Sequence, residues 1–197
     1  GCAGDAITLI IGIAPIVIVC GYNLISNNII HKKLNIELII LGGASAIIGT
    51  IIEKIFVNIG ATNKNSFLDL KVFGNMDLIE SKFRNYIHAI LGMYDAYFLG
   101  EKLMTINTLW HFLRIIVVLF VFYIMFKSVF DFFKRKDTDM LSVILSIGFL
   151  IMSLLMILTD IAADVFNSRY IGYFPLLAGV LIVRYFKFNE TLHHRII

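Results

Sequence analysis

The sequence predicts an all-α polytopic membrane protein, with about five transmembrane helices and one outer amphipathic helix. Three observations lead there. Hydrophobic residues make up 59% of the 197 residues, against about 45–50% in a typical soluble domain, and mean hydropathy is +0.87. The apolar residues come in long runs, not in strand-like alternation, and about 20 of them in a row suffice for a helix to cross a bilayer. Basic residues then fall at alternate ends of those runs, as sidedness in a membrane requires.

The chain reads as a single membrane domain, 1–197, and as a fragment of a longer chain. It starts at Gly1, with no basic leader and no small-residue cleavage site. Two prolines and 16% charged residues argue against a linker-rich chain. Cys2 and Cys20 are too few and too far apart for a disulfide framework or a metal site. A net charge of +3 gives no basis for binding nucleic acid. Neither a metal nor a cofactor is expected.

The first predicted span is 6–25, where Gly12, Pro15 and Gly21 are residues that membrane helices tolerate. A polar turn follows at 26–35. The second span is 36–57, whose Gly42, Ser45, Ala46 and Gly49 form a stripe suited to close helix packing. Glu53 and Lys54 at its end must pair or snorkel to the interface.

The stretch 58–107 is the one large polar region, expected as an extracytoplasmic loop. Within it, 77–91 places Ile79, Phe83, Ile87, Ile90 and Leu91 at helical spacing. This is the amphipathic helix, expected to lie along the membrane surface or to cap a cavity. The third span is 108–130, with His111 and Arg114 near its outer end and Trp110 as an interfacial anchor. A basic, aromatic connector precedes the fourth span, 140–158. The fifth is 170–186, with a short tail. Lys32-Lys33, Lys134-Arg135-Lys136 and the tail basics Arg184, Lys187 and Arg195 share one side under five spans, so that side and the C-terminus are expected in the cytoplasm.

The best site candidate is the connection between the last two spans. Asp160 and Asp164, four residues apart, share a face if a helix continues through them. Two such carboxylates suit cation binding or base chemistry; a helix end with Arg169 as a local counter-ion is the simpler account of them. A guanidinium recognises phosphate through paired bonds, and at this interface phosphates belong to lipids and lipid-linked sugars. Arg169 is therefore the candidate phosphate contact, with Tyr170 beside it. Arg114 and His111 are placed to join it or to pack against a neighbouring helix. Asp69, Asp77 and Asp95 read as loop acids.

The segment Asn167-Ser168-Arg169-Tyr170-Ile171-Gly172-Tyr173-Phe174-Pro175-Leu176-Leu177-Ala178-Gly179 resembles a late segment of GT-C type membrane glycosyltransferases, the group that includes protein mannosyltransferases and lipid A aminoarabinose transferases. Their late helices often begin with an Arg-Tyr pair followed by a proline. Gly12-Ile13-Ala14-Pro15 with Tyr22-Asn23, and Leu91-Gly92-Met93-Tyr94-Asp95-Ala96-Tyr97-Phe98-Leu99-Gly100, look like other segments of bacterial members, in the same order. The resemblance implies an enzyme of the bacterial plasma membrane taking a sugar from a polyprenyl-phosphate donor on the outer face. It implies also that the catalytic aspartate lies in a first outer loop, upstream of this stretch, so no residue here takes that role. Membrane lipids and the lipid-linked donor are the expected partners. The competing readings are a transporter or flippase subunit, in which charges are spaced through the bilayer depth, and a structural membrane protein.

Overall fold

The computed structural model describes residues 6–26, 32–60, 76–96, 105–158 and 172–196. They form six α-helices: α1 (Ala6–Ile25), α2 (Lys32–Asn58), α3 (Met76–Met93), α4 (Ile106–Phe133), α5 (Met140–Leu158) and α6 (Phe174–Ile196). No strand occurs among the described residues. The helices α2, α4 and α5 are long and apolar enough to cross a membrane, and the chain has the architecture of an integral membrane protein. The expected bounds of α1 and α5 agree with those observed. The helix α2 starts four residues earlier than expected, which moves Asn35 from a turn into a helix, where it is buried.

The helix α5 is the centre of the bundle. Its serines, Gly148 and several large side chains are buried, because α1, α3, α4 and α6 all pack around it. Towards its start, Val143 and Ile147 meet Val19 of α1 and Phe132 of α4. Further along, Phe149, Met152 and Met156 join Tyr86 and Ile90 of α3, Val121 and Met125 of α4, and Phe174 and Leu181 of α6. Lipid is as apolar as these side chains, so helix association here rests on close packing and buried polar bonds more than on transfer out of water.

Contacts along α5 and α6 run in opposite order. Asp139, just before α5, pairs with Arg184, and Phe149 stacks on Phe174 with ring centroids 4.2 Å apart. Ten residues separate the two positions on each chain segment, about 15 Å of helix. The two helices are thus antiparallel, and the start of α6 lies level with the middle of α5. Phe122 packs on both Phe149 and Phe174, so the middle of the bundle is filled by aromatic rings.

Two expectations about faces change. In α3 the buried residues are Lys82, Tyr86 and Ile90, while Phe83 and Ile87 are exposed. The helix packs against α5 and turns inward the face that carries Tyr86, with Ile90 of the expected face also buried. The Tyr86 hydroxyl lies 2.6 Å from Ser153 Oγ. In α2, Gly42 and Gly49 of the small-residue stripe are buried, with Gly42 against Ile13 of α1. Ser45 faces outward. The outer faces of α2 and α4, with Ile40, Leu41, Ile47, Ile48, Leu113, Ile116 and Leu119 exposed, are lipid-facing surfaces for a chain of this class.

Candidate functional site

Two polar clusters stand at opposite ends of the bundle. The first joins the end of α3 to the start of α4. The helix α3 closes with two bonds, from the Asp95 N–H to the Gly92 carbonyl and from the Ala96 N–H to the Leu91 carbonyl. This is a Schellman ending, and it puts Asp95 in the left-handed conformation at φ 49°. Ala96 is buried beneath it. On the other side, Thr105 caps α4 by accepting the Thr108 N–H at 3.2 Å. The helix then carries Trp110, His111 and Arg114 on one face, because residues three and four apart are neighbours.

His111 and Arg114 both converge on Asp95. The Asp95 carbonyl accepts from His111 Nδ1 at 2.6 Å and from Arg114 Nη1 at 2.8 Å. Arg114 Nη1 also pairs with the Asp95 carboxylate. A carbonyl only accepts, so the His111 proton is fixed on Nδ1, and in the neutral ring Nε2 is left as an acceptor. The Arg114 guanidinium lies 5.6 Å from the Trp110 ring centroid, and its charge faces the negative end of α3. Asp95 is thus a helix-terminating residue that organises two of the expected site residues, not a loop acid. Arg114 is held within the chain, and an incoming phosphate would have to share it with Asp95. Arg169, Tyr170, Asp160 and Asp164 lie outside the described residues.

The second cluster has no counterpart among the expected sites. Asp139 caps α5: its carboxylate accepts the Ser142 N–H at 3.1 Å and the Ser142 hydroxyl at 2.5 Å. Arg184 of α6 closes on it as a fork, Nε to Oδ2 and Nη2 to Oδ1, both at 2.5 Å. The guanidinium holds the Asp139 carboxyl below its ordinary range, with Ser142 adding to the effect and burial opposing it. Asp-x-x-Ser ahead of an apolar run is an N-cap signal, and that is the signal by which Asp139 could have been found. Nothing in it pointed to Arg184, 45 residues away.

Beside this fork, α4 ends in another Schellman turn, with Arg135 at φ 57° and the Lys136 N–H on the Asp131 carbonyl. Lys136 returns to the Asp131 carboxylate at 3.2 Å. Lys127 donates to the Tyr185 hydroxyl at 3.0 Å. Together these groups surround a cavity of about 360 Å³. No group of three or more His, Cys, Asp or Glu side chains is placed to hold a metal ion among the described residues.

The chain matches no protein-family model, no curated protein sequence and no solved structure.

Proposed function

We propose that the chain is the membrane-embedded part of a transferase that takes a sugar from a polyprenyl-phosphate donor, acting at the bundle end that carries Asp95, His111 and Arg114. The convergence of His111 and Arg114 on Asp95 carries this reading. It gathers a guanidinium and an imidazole where a lipid-borne phosphate travels, and a preorganised cation is what a departing phosphate needs. The aromatic filling of Phe122, Phe149 and Phe174 supports a site at the end of the bundle over a charge-lined path through it.

In this reading the chain makes five crossings, with α3 as the additional helix. The basic end is cytoplasmic, by the positive-inside rule. Lys134, Arg135 and Lys136 belong to that end. The Tyr22 hydroxyl donates to the Phe133 carbonyl at 3.0 Å, which brings the end of α1 towards the same side. Arg169 contacts the donor phosphate, and the catalytic carboxylate is supplied from outside this stretch.

The test is turnover of a polyprenyl-phosphate sugar by the protein in its native membrane. Arg169→Ala is expected to weaken donor use while leaving the fold intact. Unchanged donor turnover in that variant would remove the phosphate role of Arg169.

A further inference from the structure

The cavity at the basic end has no part in the reaction proposed above. It is lined by the end of α4 (Lys127, Asp131), the connector (Lys136, Asp137, Asp139), and Arg184 and Tyr185 of α6, among others. Its charges balance in sign, with three cations and three carboxylates. Four of them are spent on each other, Asp139 on Arg184 and Asp131 on Lys136. Among the described residues, Lys127 and Asp137 are the two lining charges in no ion pair. Lys127 donates to the neutral Tyr185 hydroxyl and lies over the Tyr185 and Tyr123 rings, 5.0 and 5.9 Å from their centroids; a ring face takes no N–H in a fixed direction, so the ammonium keeps donors for a phosphate oxygen.

A second, wholly apolar groove of about 500 Å³ begins at the same lysine. Tyr123, Phe126, Val129, Phe130 and Phe133 line it along the outer surface of α4. Lys127 therefore stands where a polar cavity passes into an aromatic groove. Both sit at the shared end of α4 and α5, two helices long and apolar enough to span the bilayer, and that is the height at which lipid head groups lie.

We propose that this pair of cavities binds one phospholipid with a primary-ammonium head group, phosphatidylethanolamine in class. An acyl chain lies in the aromatic groove, the phosphate meets Lys127 and the ammonium meets Asp137. A zwitterion is selected because Lys127 and Asp137, one of each sign, are the lining charges that form no ion pair among the described residues. A purely anionic head group would place its phosphate on Lys127 and leave Asp137 facing it unfavourably. This proposal does not rest on the transferase reading.

The experiment is native mass spectrometry of the purified chain with equal amounts of dioleoyl phosphatidylethanolamine and dioleoyl phosphatidylglycerol. A charge-assisted hydrogen bond is worth enough to give about tenfold preferential retention of the ethanolamine lipid. Asp137→Asn, a change in an exposed connector residue that leaves the helices untouched, should bring the two lipids to near-equal retention. Lys127→Met should lower both, and Lys127→Arg should restore them. Equal or better retention of phosphatidylglycerol by the unaltered chain would overturn the proposal. So would an Asp137→Asn variant that keeps the full preference.

Discussion

Gly148 of α5 is packed against Pro15 of α1. A side-chain carbon built on Gly148 would come within 3.2 Å of Pro15 Cγ and 3.3 Å of the Ile11 carbonyl oxygen. Proline has no N–H, so the Ile11 carbonyl lacks the partner that position 15 normally supplies in a helix. The missing side chain on α5 lets the second helix close over that gap. Gly148→Ala should therefore destabilise the bundle by about 1–3 kcal/mol, read as a lowered midpoint of thermal unfolding in detergent. Gly43→Ala, where nothing lies within 4 Å, should be neutral or slightly stabilising, since alanine is the better helix former. Equal behaviour of the two variants would refute the close approach.

The Tyr86–Ser153 bond has a direction that makes its two halves unequal. Ser153 donates to the Phe149 carbonyl at 2.8 Å, so Tyr86 is the donor to Ser153. Tyr86→Phe removes that donor and leaves Ser153 satisfied, at a cost of about 1 kcal/mol. Ser153→Ala strands a buried hydroxyl on Tyr86 and should cost more, about 1–3 kcal/mol. Chemical unfolding of both variants and of the double variant checks the order, with the double variant closer to Tyr86→Phe than to Ser153→Ala.

The Asp139–Arg184 fork makes a pH prediction. A carboxyl depressed in the folded state adds stability that is present above its ordinary value of about 4 and is lost as the pH falls through the folded value. Thermal midpoints followed from about pH 7 to about pH 3 should fall more steeply for the unaltered chain than for Asp139→Asn. Asp139→Ala should cost more than Arg184→Ala at neutral pH, because it removes the cap of α5 together with the ion pair.

At Asp95 the backbone matters more than the charge. Its carboxylate is 78% exposed, and an ion pair that open to solvent contributes at most about 1 kcal/mol. The left-handed conformation is tolerated by Gly and Asn, whereas a β-branched residue there costs about 1–3 kcal/mol. Asp95→Gly and Asp95→Asn should thus unfold close to the unaltered chain and Asp95→Val well below it. A large loss in Asp95→Asn would instead show that the pair with Arg114 outweighs the backbone conformation.

The sequence by itself determined five of the six helices closely, whereas α6 runs over Phe174–Ile196 and not over the expected 170–186. Runs of apolar residues broken by polar turns fixed α1 and α5 to the residue and placed α2, α4 and the amphipathic α3 closely, because helix formation depends on local composition and on the length a bilayer demands. It also marked His111 and Arg114 as polar residues at the end of a span. Tertiary structure alone decided which groups meet. Periodicity indicated a face of α3 through Phe83 and Ile87, but the buried face runs through Tyr86, since its partner Ser153 lies 67 residues away. The Asp139–Arg184 fork, the role of Asp95 as the common acceptor for His111 and Arg114, and the pairing of Gly148 with Pro15 all join residues far apart in sequence. Such contacts depend on the relative height and rotation of helices, which side-chain packing sets and local pattern does not record.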